Sequence, residues 1–361
     1  MQGTTTILKA PGEVEQVEYP VPDPETGGVV LAMERANVCG SEVHILKGHH
    51  PLVRPGCVLG HEGVGRVERL GAGVETDFAG EPLAEGDRVV STYFQACRRC
   101  PECNRADWNL CRNAYARWGT PASQAPHFFG TFGTHWSLGD SQYVYKIPEG
   151  VSSKAASSAN CALSQMVNAV HEGQVGRGDK VVFLGSGGLG LCGAALAAEA
   201  GAEVYVAEMM PSRLEKAREF GAHHVIDLSA AQDGDGRIEL IREATGGGAD
   251  VAIEVAGVPD AFAEAVKSVR NGGTVVEIGN VSPNKYTQFD PGLFTRSGVT
   301  IKAVIRYPVY FLADSLKFIQ ATPQYPWEDL VDADYDFADA RAAIQAAEDK
   351  QVTRAALLIN T

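Results

Sequence analysis

The sequence predicts an α/β protein in which a β-rich region precedes a doubly wound parallel sheet. Residues 1–155 are rich in Gly, Pro and short β-type runs and show no sustained helical repeat. Between Lys180 and Ile301, short apolar runs alternate with helical stretches of roughly 10–15 residues. At the first alternation, Gly185-Ser186-Gly187-Gly188-Leu189-Gly190 joins a strand-like run to a helical one.

Taken in order, Gly27-Gly28 marks a turn entering the strand-like run Val29-Val30-Leu31, and Gly86 leads into Asp87-Arg88-Val89-Val90. Lys180-Val181-Val182-Phe183-Leu184 begins the alternation. A helix follows, with Leu189, Cys192, Leu196 and Ala200 at helical spacing. Glu203-Val204-Tyr205-Val206-Ala207 is the next short run, and a charged helix covers Pro211 to Phe220. Val225-Ile226, Val251-Ala252-Ile253, Thr274-Val275-Val276 and Val299-Thr300-Ile301 continue the series. Such runs between helices belong to a parallel sheet covered on both faces. A helix near Ala338 to Glu348 and a strand from Ala355 to Ile359 end the chain.

At 361 residues the chain has room for two cores. A net charge of −14, from 31 basic and 45 acidic residues, argues against a nucleic-acid partner. The start, Met1-Gln2-Gly3-Thr4-Thr5-Thr6, lacks the basic and apolar segments of a signal peptide, and no apolar run approaches the roughly 20 residues of a membrane span. A cytoplasmic protein without a membrane partner is expected, with reduced thiols available to metals.

Four of the eight cysteines, Cys97, Cys100, Cys103 and Cys111, fall within fifteen positions. Two CxxC steps and a fourth thiol let one loop wrap a tetrahedral ion, since zinc takes four thiolates at about 2.3 Å. A disulfide knot or plain reduced thiols are the competing readings, and CxxC spacing in a non-secreted chain favours metal. Upstream lie Cys39, in Cys39-Gly40-Ser41-Glu42-Val43-His44, and His61, in Gly60-His61-Glu62; Cys161 lies where the two regions meet. Two thiolates and an imidazole leave a fourth position open, the arrangement of a catalytic zinc. Each alone would read as packing or hydrogen bonding, and only joint presence argues for metal. Cys192 belongs to a helix core. Cys57 lies close to Gly60-His61 and is an alternative thiol there, though packing suits it better.

Gly185 to Gly190 fits G-x-G-x-x-G in its required strand–helix context. Its glycines bring a pyrophosphate to a helix N-terminus, and the competing reading is a tight turn without a ligand. Eighteen residues after Gly190, Glu208 closes the second strand, where a carboxylate accepts ribose hydroxyls and repels a 2′-phosphate. That favours NAD over NADP, although Arg213 is close by.

With these residues assembled, the chain resembles the zinc-dependent medium-chain dehydrogenase/reductase family of alcohol dehydrogenase type over essentially its whole length. The resemblance implies a GroES-like catalytic domain with two zincs over residues 1–158 and 305–361, and a Rossmann NAD-binding domain over 159–304. It implies a proton relay through Ser41 and His44, with Glu62 assisting ligand exchange and Glu42 holding His61. Gly185, Gly187, Gly188, Leu189, Gly190, Glu208, Arg213 and Arg354 would bind cofactor, Arg354 at the pyrophosphate. It further implies a small alcohol or ketone substrate and a homodimer or homotetramer. Within the family, the chain is similar to bacterial terpenoid-alcohol dehydrogenases. Gly40 departs from liver-type members, which carry a basic residue there, and Tyr115, Trp118, His127, Phe128 and Phe129 follow no family pattern. Tyr93 stands where relatives line the pocket. A polyol or aldehyde-adduct dehydrogenase is the alternative within the same zinc chemistry. A non-catalytic NAD-binding protein would be expected to have lost ligands or relay residues that are all present here.

Overall fold

The computed structural model describes residues 1–50 and 53–360 and divides the chain into two units. The first unit holds Met1–Ser164, Pro308–Pro323 and Trp327–Thr361, and the second holds Gln165–Tyr307 with Gln324–Pro326. Both units match the expected α/β class. The chain opens on an antiparallel hairpin, β1 (Gln2–Ala10) and β2 (Glu13–Pro20). β3 (Val29–Asn37), β4 (Glu62–Leu70), β5 (Arg88–Ser91), β6 (His135–Leu138) and β7 (Val144–Lys146) follow. The second unit contributes β8 (Lys180–Leu184), β9 (Glu203–Glu208), β10 (His224–Asp227), β11 (Ala249–Glu254), β12 (Val269–Glu277) and β13 (Thr300–Ala303). The chain then returns to the first unit with β14 (Ala333–Asp336) and β15 (Ala355–Leu358).

In the first unit the strands order β14-β15-β3-β4-β5-β7, with β6 also paired to β3. β3 runs six residues beyond the apolar run that marks it in the sequence. Its polar end is tolerated inside because Arg35 pairs with Asp334 and Asn37 donates to Ser157 and Ser158. The helix Gly40–Leu46 starts directly after β3 and buries Ile45 and Leu46, each contributing about 1.5–3 kcal/mol. The helix Ala340–Glu348 buries Ala340, Ala343 and Ile344 in the same core. The helix Phe311–Ala321 was not among the expected elements, although Leu312, Leu316 and Ile319 share one helical face and are buried.

In the second unit the order β10-β9-β8-β11-β12-β13 is parallel throughout. Val181 to Leu184 are all buried, as a central strand covered on both faces requires. The division between the units follows Ser164 rather than residue 158. The π-helical turn Ala159–Leu163 packs on β4 and β5, and Asn160 Nδ2 donates to the carbonyls of His61 (3.0 Å) and Ser91 (2.9 Å). These bonds tie Cys161 to the first unit. No helix among the described residues is long and apolar enough to cross a membrane.

Candidate active site

Three elements of the first unit converge. The helix Gly40–Leu46 begins at Cys39, β4 begins one residue after His61, and the π-helical turn carries Cys161. Ligand atoms of Cys39, His61, Glu62 and Cys161 all lie within 4.8 Å of one another. Such π-helical turns occur often at functional sites because they re-aim single side chains. Glu42, three residues after Cys39, does two jobs. Its Oε2 accepts the Cys39 backbone N–H (2.9 Å), which caps the helix, and its Oε1 bonds His61 Nδ1 (2.7 Å). The second bond aims Nε2 of His61 at the cluster.

The electrostatics fit a cation. A hydrogen bond from Cys161 draws Cys39 well below the usual thiol range, and the same bond holds the Cys161 thiol well above it. The two sulfurs thus share one proton, and ionising both calls for a positive ion between them. Burial lowers the imidazolium form of His61, but Glu42 and then Cys39 outweigh it and keep that pKa well above its ordinary value. Glu62 Oε2 pairs with Arg354, while Glu62 Oε1 is buried without a hydrogen-bond partner, an orphaned acceptor at the cluster. Burial raises Glu62 even against the Arg354 guanidinium. The donor set of two sulfurs, one imidazole and an open position fits zinc. Glu42→Gln should therefore weaken zinc binding by about 10–100-fold, the usual cost of losing a partner that orients a ligand. Zinc transfer to a chromogenic chelator measures this, and an unchanged transfer rate would refute the role.

Ser41 and His44 share one face of the helix at three-residue spacing and are both half-buried. Around His61 stand Tyr93, whose ring centroid is 4.9 Å away, and Trp118 at 5.2 Å. Tyr115 packs on both Tyr93 (6.3 Å) and Trp118 (5.8 Å). Trp118 Nε1 donates to the Val58 carbonyl (3.1 Å), which fixes its plane. Phe128 and Phe129 are buried, and His127 stacks on Tyr19 at 4.5 Å. Cys57 donates its thiol to the Gly119 carbonyl (3.3 Å) and is absent from the cluster, and Cys192 is buried within its helix.

The sulfurs of Cys97, Cys100, Cys103 and Cys111 form the second cluster found among the described residues, again within 4.8 Å. All eight cysteines are free thiols. Burial and the neighbouring Cys100 push Cys103 up to about 12, the behaviour of crowded sulfurs without a compensating charge. Four thiolates at these separations fit a closed zinc site.

In the second unit, Gly185 directly follows β8, Gly187 precedes the helix Gly188–Glu199, and Gly188, Leu189 and Gly190 form its first turn. A Cβ on Gly190 would lie 2.1 Å from the Gly185 carbonyl, so only glycine closes this turn. Glu208 is buried at the end of β9. Its Oε2 accepts the Ser186 N–H (2.9 Å) and its Oε1 the Met209 (2.7 Å) and Met210 (3.1 Å) N–H groups. Oε1 thereby uses both its lone pairs, and Oε2, which otherwise meets only a long contact from the Ser186 hydroxyl (3.3 Å), is the oxygen that keeps acceptor capacity for a ribose hydroxyl. The Arg213 carbonyl accepts the Ser186 hydroxyl (3.3 Å) in the first turn of the following helix.

The sequence reading missed the polar network behind the metal cluster. Asn37 Nδ2 reaches Ser157 (3.0 Å), Ser158 (3.2 Å) and, more weakly, Glu62 Oε2 (3.5 Å). Asn37 stands two residues before Cys39 and Asn160 one before Cys161, and that adjacency was the available signal.

Two family models match. Residues 25–149 fit the alcohol dehydrogenase GroES-like domain, and residues 188–321 fit the zinc-binding dehydrogenase domain. A 5-exo-hydroxycamphor dehydrogenase of Pseudomonas putida is 30% identical over 94% of both chains. A sorbitol dehydrogenase of Halalkalibacterium halodurans is 32% identical over 73% of this chain and 72% of its own. Among solved structures, an alcohol dehydrogenase of Thermotoga maritima superposes with a TM-score of 0.91 at 26% identity, covering all of both chains.

Proposed function

The chain belongs to the zinc-dependent medium-chain alcohol dehydrogenase family, and on that premise we propose that it oxidises a secondary or cyclic alcohol to a ketone with NAD. It is an oxidoreductase of alcohols. The observation that carries the reading is the convergence of Cys39, His61 and Cys161, with Glu42 and Glu62 behind them. We take these three residues as the ligands of a catalytic zinc, the four-cysteine loop as the seat of a structural one, and the two units as the catalytic and cofactor domains. When bound, zinc supplies Lewis acidity that lowers the pKa of a hydroxyl, and NAD supplies the hydride acceptor.

The chain's own residues do the rest. Ser41 accepts the substrate proton, gives up its own, and so passes a proton along the helix face toward His44. Glu42 keeps His61 in one tautomer and orientation. Glu62 stands ready to assist ligand exchange, and its pairing with Arg354 keeps a compensating cation at the cluster. Arg354 would contribute to pyrophosphate binding through donors not engaged with Glu62. Gly185 to Gly190 bind the pyrophosphate and Glu208 the ribose, and the negative charge of Glu208 favours NAD over NADP.

Tyr93, Tyr115 and Trp118 support an apolar, rigid substrate over a polyol. Tyr93 and Trp118 set their rings beside His61, and the indole N–H of Trp118 is already engaged by the Val58 carbonyl. The relative named for hydroxycamphor and the one named for sorbitol frame these two choices. We further infer a homodimer or homotetramer. β13 ends its sheet without a second neighbour among the described residues, and Leu293 and Ile305, close to it in sequence, are exposed. Eight free thiols support a reducing, cytoplasmic setting.

The test is NADH formation by the purified protein against a panel of primary, secondary, cyclic and polyhydroxy alcohols, repeated with NADP. Cyclic secondary alcohols should exceed polyols by at least about 10-fold in kcat/KM, a discrimination of ~1.4 kcal/mol that one apolar wall supplies. Polyols as the best substrates would overturn the substrate assignment, and equal use of NADP would overturn the role of Glu208.

A further inference from the structure

Two facing carboxylates of the second unit, Glu254 buried and Glu277 half-buried, take no part in the chemistry above. β11 and β12 end in register, with Glu254 opposite Glu277. Glu254 is fully buried, and its Oε1 accepts the N–H groups of Ala256 (2.7 Å) and Gly257 (2.9 Å). Asn280 straddles the pair. Its Nδ2 donates to Glu254 Oε2 (3.2 Å) and Glu277 Oε1 (3.0 Å), and its backbone N–H donates to Glu277 Oε1 (3.0 Å). Glu277 Oε2 is buried without a hydrogen-bond partner.

No cation pairs with either carboxylate among the described residues. The flanking strands β8 and β13 present Leu184 and Ala303 at these register positions. Charged groups on adjoining segments have partners of their own: Lys302 pairs with Glu172 (3.2 Å), Asp260 accepts from Thr287 (2.9 Å) and Glu208 accepts from the glycine turn. Two ionised carboxylates in this setting would repel at short range with little water to screen them. Burial, and then the charge of Glu277, push Glu254 up to about 8.

The pair also touches the cofactor cradle. A Cβ on Gly279 would lie 2.4 Å from Glu254 Oε2. One on Gly185 would lie 3.1 Å from the Ala256 backbone, and one on Gly190 3.5 Å from Val255. The segment 255–257, which Glu254 holds by two hydrogen bonds, therefore packs on the glycine turn. Segment 278–280 packs on the carboxylate in turn. Both segments lie at the carboxyl ends of parallel strands, where open α/β sheets bind ligands.

We propose that Glu254, Glu277 and Asn280 are positioning residues for the dinucleotide, and that one proton shared by the two carboxyls clamps segments 255–257 and 278–280 against the glycine turn. The proposal rests on reading that turn as the dinucleotide site. With one proton, the carboxylic acid of one residue donates to the carboxylate of the other, and Asn280 bridges both. Loss of that proton to solvent leaves two anions facing each other, and the segments part.

The direction follows from linkage. The folded state keeps a proton that an unfolded glutamate releases near its ordinary pKa, so stability falls as pH rises from there to about 8, and cofactor affinity falls above about 8, where the clamp opens. NADH binding to the zinc-loaded protein, followed by nucleotide fluorescence from about pH 6 to pH 10, should weaken by at least about fivefold above pH 8. In Glu277→Gln the new amide donates to the Glu254 carboxylate and removes the like-charge repulsion, so the two segments stay together across this range and the profile should stay flat within about twofold. A merely structural role would lower affinity at all pH values and keep the wild-type slope, and that outcome overturns the proposal. So does a flat wild-type profile. If Glu277→Gln does not fold, the infrared spectrum of the wild type decides: a protonated carboxyl band present at neutral pH and lost on alkalinisation supports the shared proton, and its absence overturns it. Failure to bind NADH at any pH would instead sink the dinucleotide reading itself.

Discussion

Replacing Cys39 by alanine should abolish turnover while leaving dinucleotide binding intact. The thiol heads the helix Gly40–Leu46, and its sulfur hydrogen-bonds that of Cys161, so its removal breaks the donor set at its most acidic member. Lewis acidity at such a site is worth several kcal/mol, and its loss should cut kcat/KM by at least about 10³-fold. Elemental analysis should show zinc falling from two per chain to one. NADH fluorescence should titrate normally, because Gly185, Gly190 and Glu208 belong to the other unit. His61→Ala should have the same catalytic effect but is a less clean experiment. It strands the fully buried Glu42 carboxylate, and breaking a buried pair costs about 3–5 kcal/mol in stability. Near-normal activity in Cys39→Ala would overturn the ligand assignment.

How far the sequence anticipated this site depended on residue type. Cysteine and histidine are scarce and chemically committed, so Cys39, His61 and Cys161 stood out even though 100 positions separate His61 from Cys161. Glu42 was anticipated only through the family resemblance; the structure supplies the physical reason, since a helix brings its third position back to its own start. Asn37, Ser157 and Ser158 were not, since ordinary polar residues become part of a buried network only through contacts about 120 positions apart. The pairing of Arg354 with Glu62, across 292 positions, lay equally beyond any local pattern.

The fold divided along the same line. β8 to β13 were readable as apolar runs because a covered parallel sheet leaves little room for polar residues. β2, with its exposed acids, and the polar end of β3 lacked that mark. Glu254 and Glu277 each follow a short apolar run and carry no mark of their own in the sequence. Only the register of β11 against β12 turns two unremarkable acids into a facing pair.

Removing one sulfur from the four-cysteine loop should unfold that loop while sparing the cofactor unit. Cys103→Ala is the informative variant, because Cys103 is buried and its carbonyl also accepts the Trp108 indole N–H (3.2 Å). Little else holds residues 97–111 together. Arg98, Arg99, Arg105 and Leu110 are exposed, Arg98 and Ala106 take positive φ, and one ring contact, Trp108 on Tyr143 at 5.7 Å, supplies apolar cover. The pairs Arg112–Glu102 and Arg98–Asp140 are solvent-exposed on their arginine side, where water screens them and they add little. Structural zinc, by contrast, contributes about 10–16 kcal/mol of apparent binding energy in small zinc-folded peptides, so the metal dominates the loop's stability. The variant should lose one zinc per chain and become open to trypsin at Arg98, Arg99 or Arg105, with NADH binding retained. The wild type separates metal from disulfide as the cause. A strong chelator should expose the same cleavage sites and a thiol reductant should not, since all four sulfurs are free. If the variant kept two zincs and the wild-type cleavage pattern, the loop would be held by its backbone alone and the metal assignment would fail.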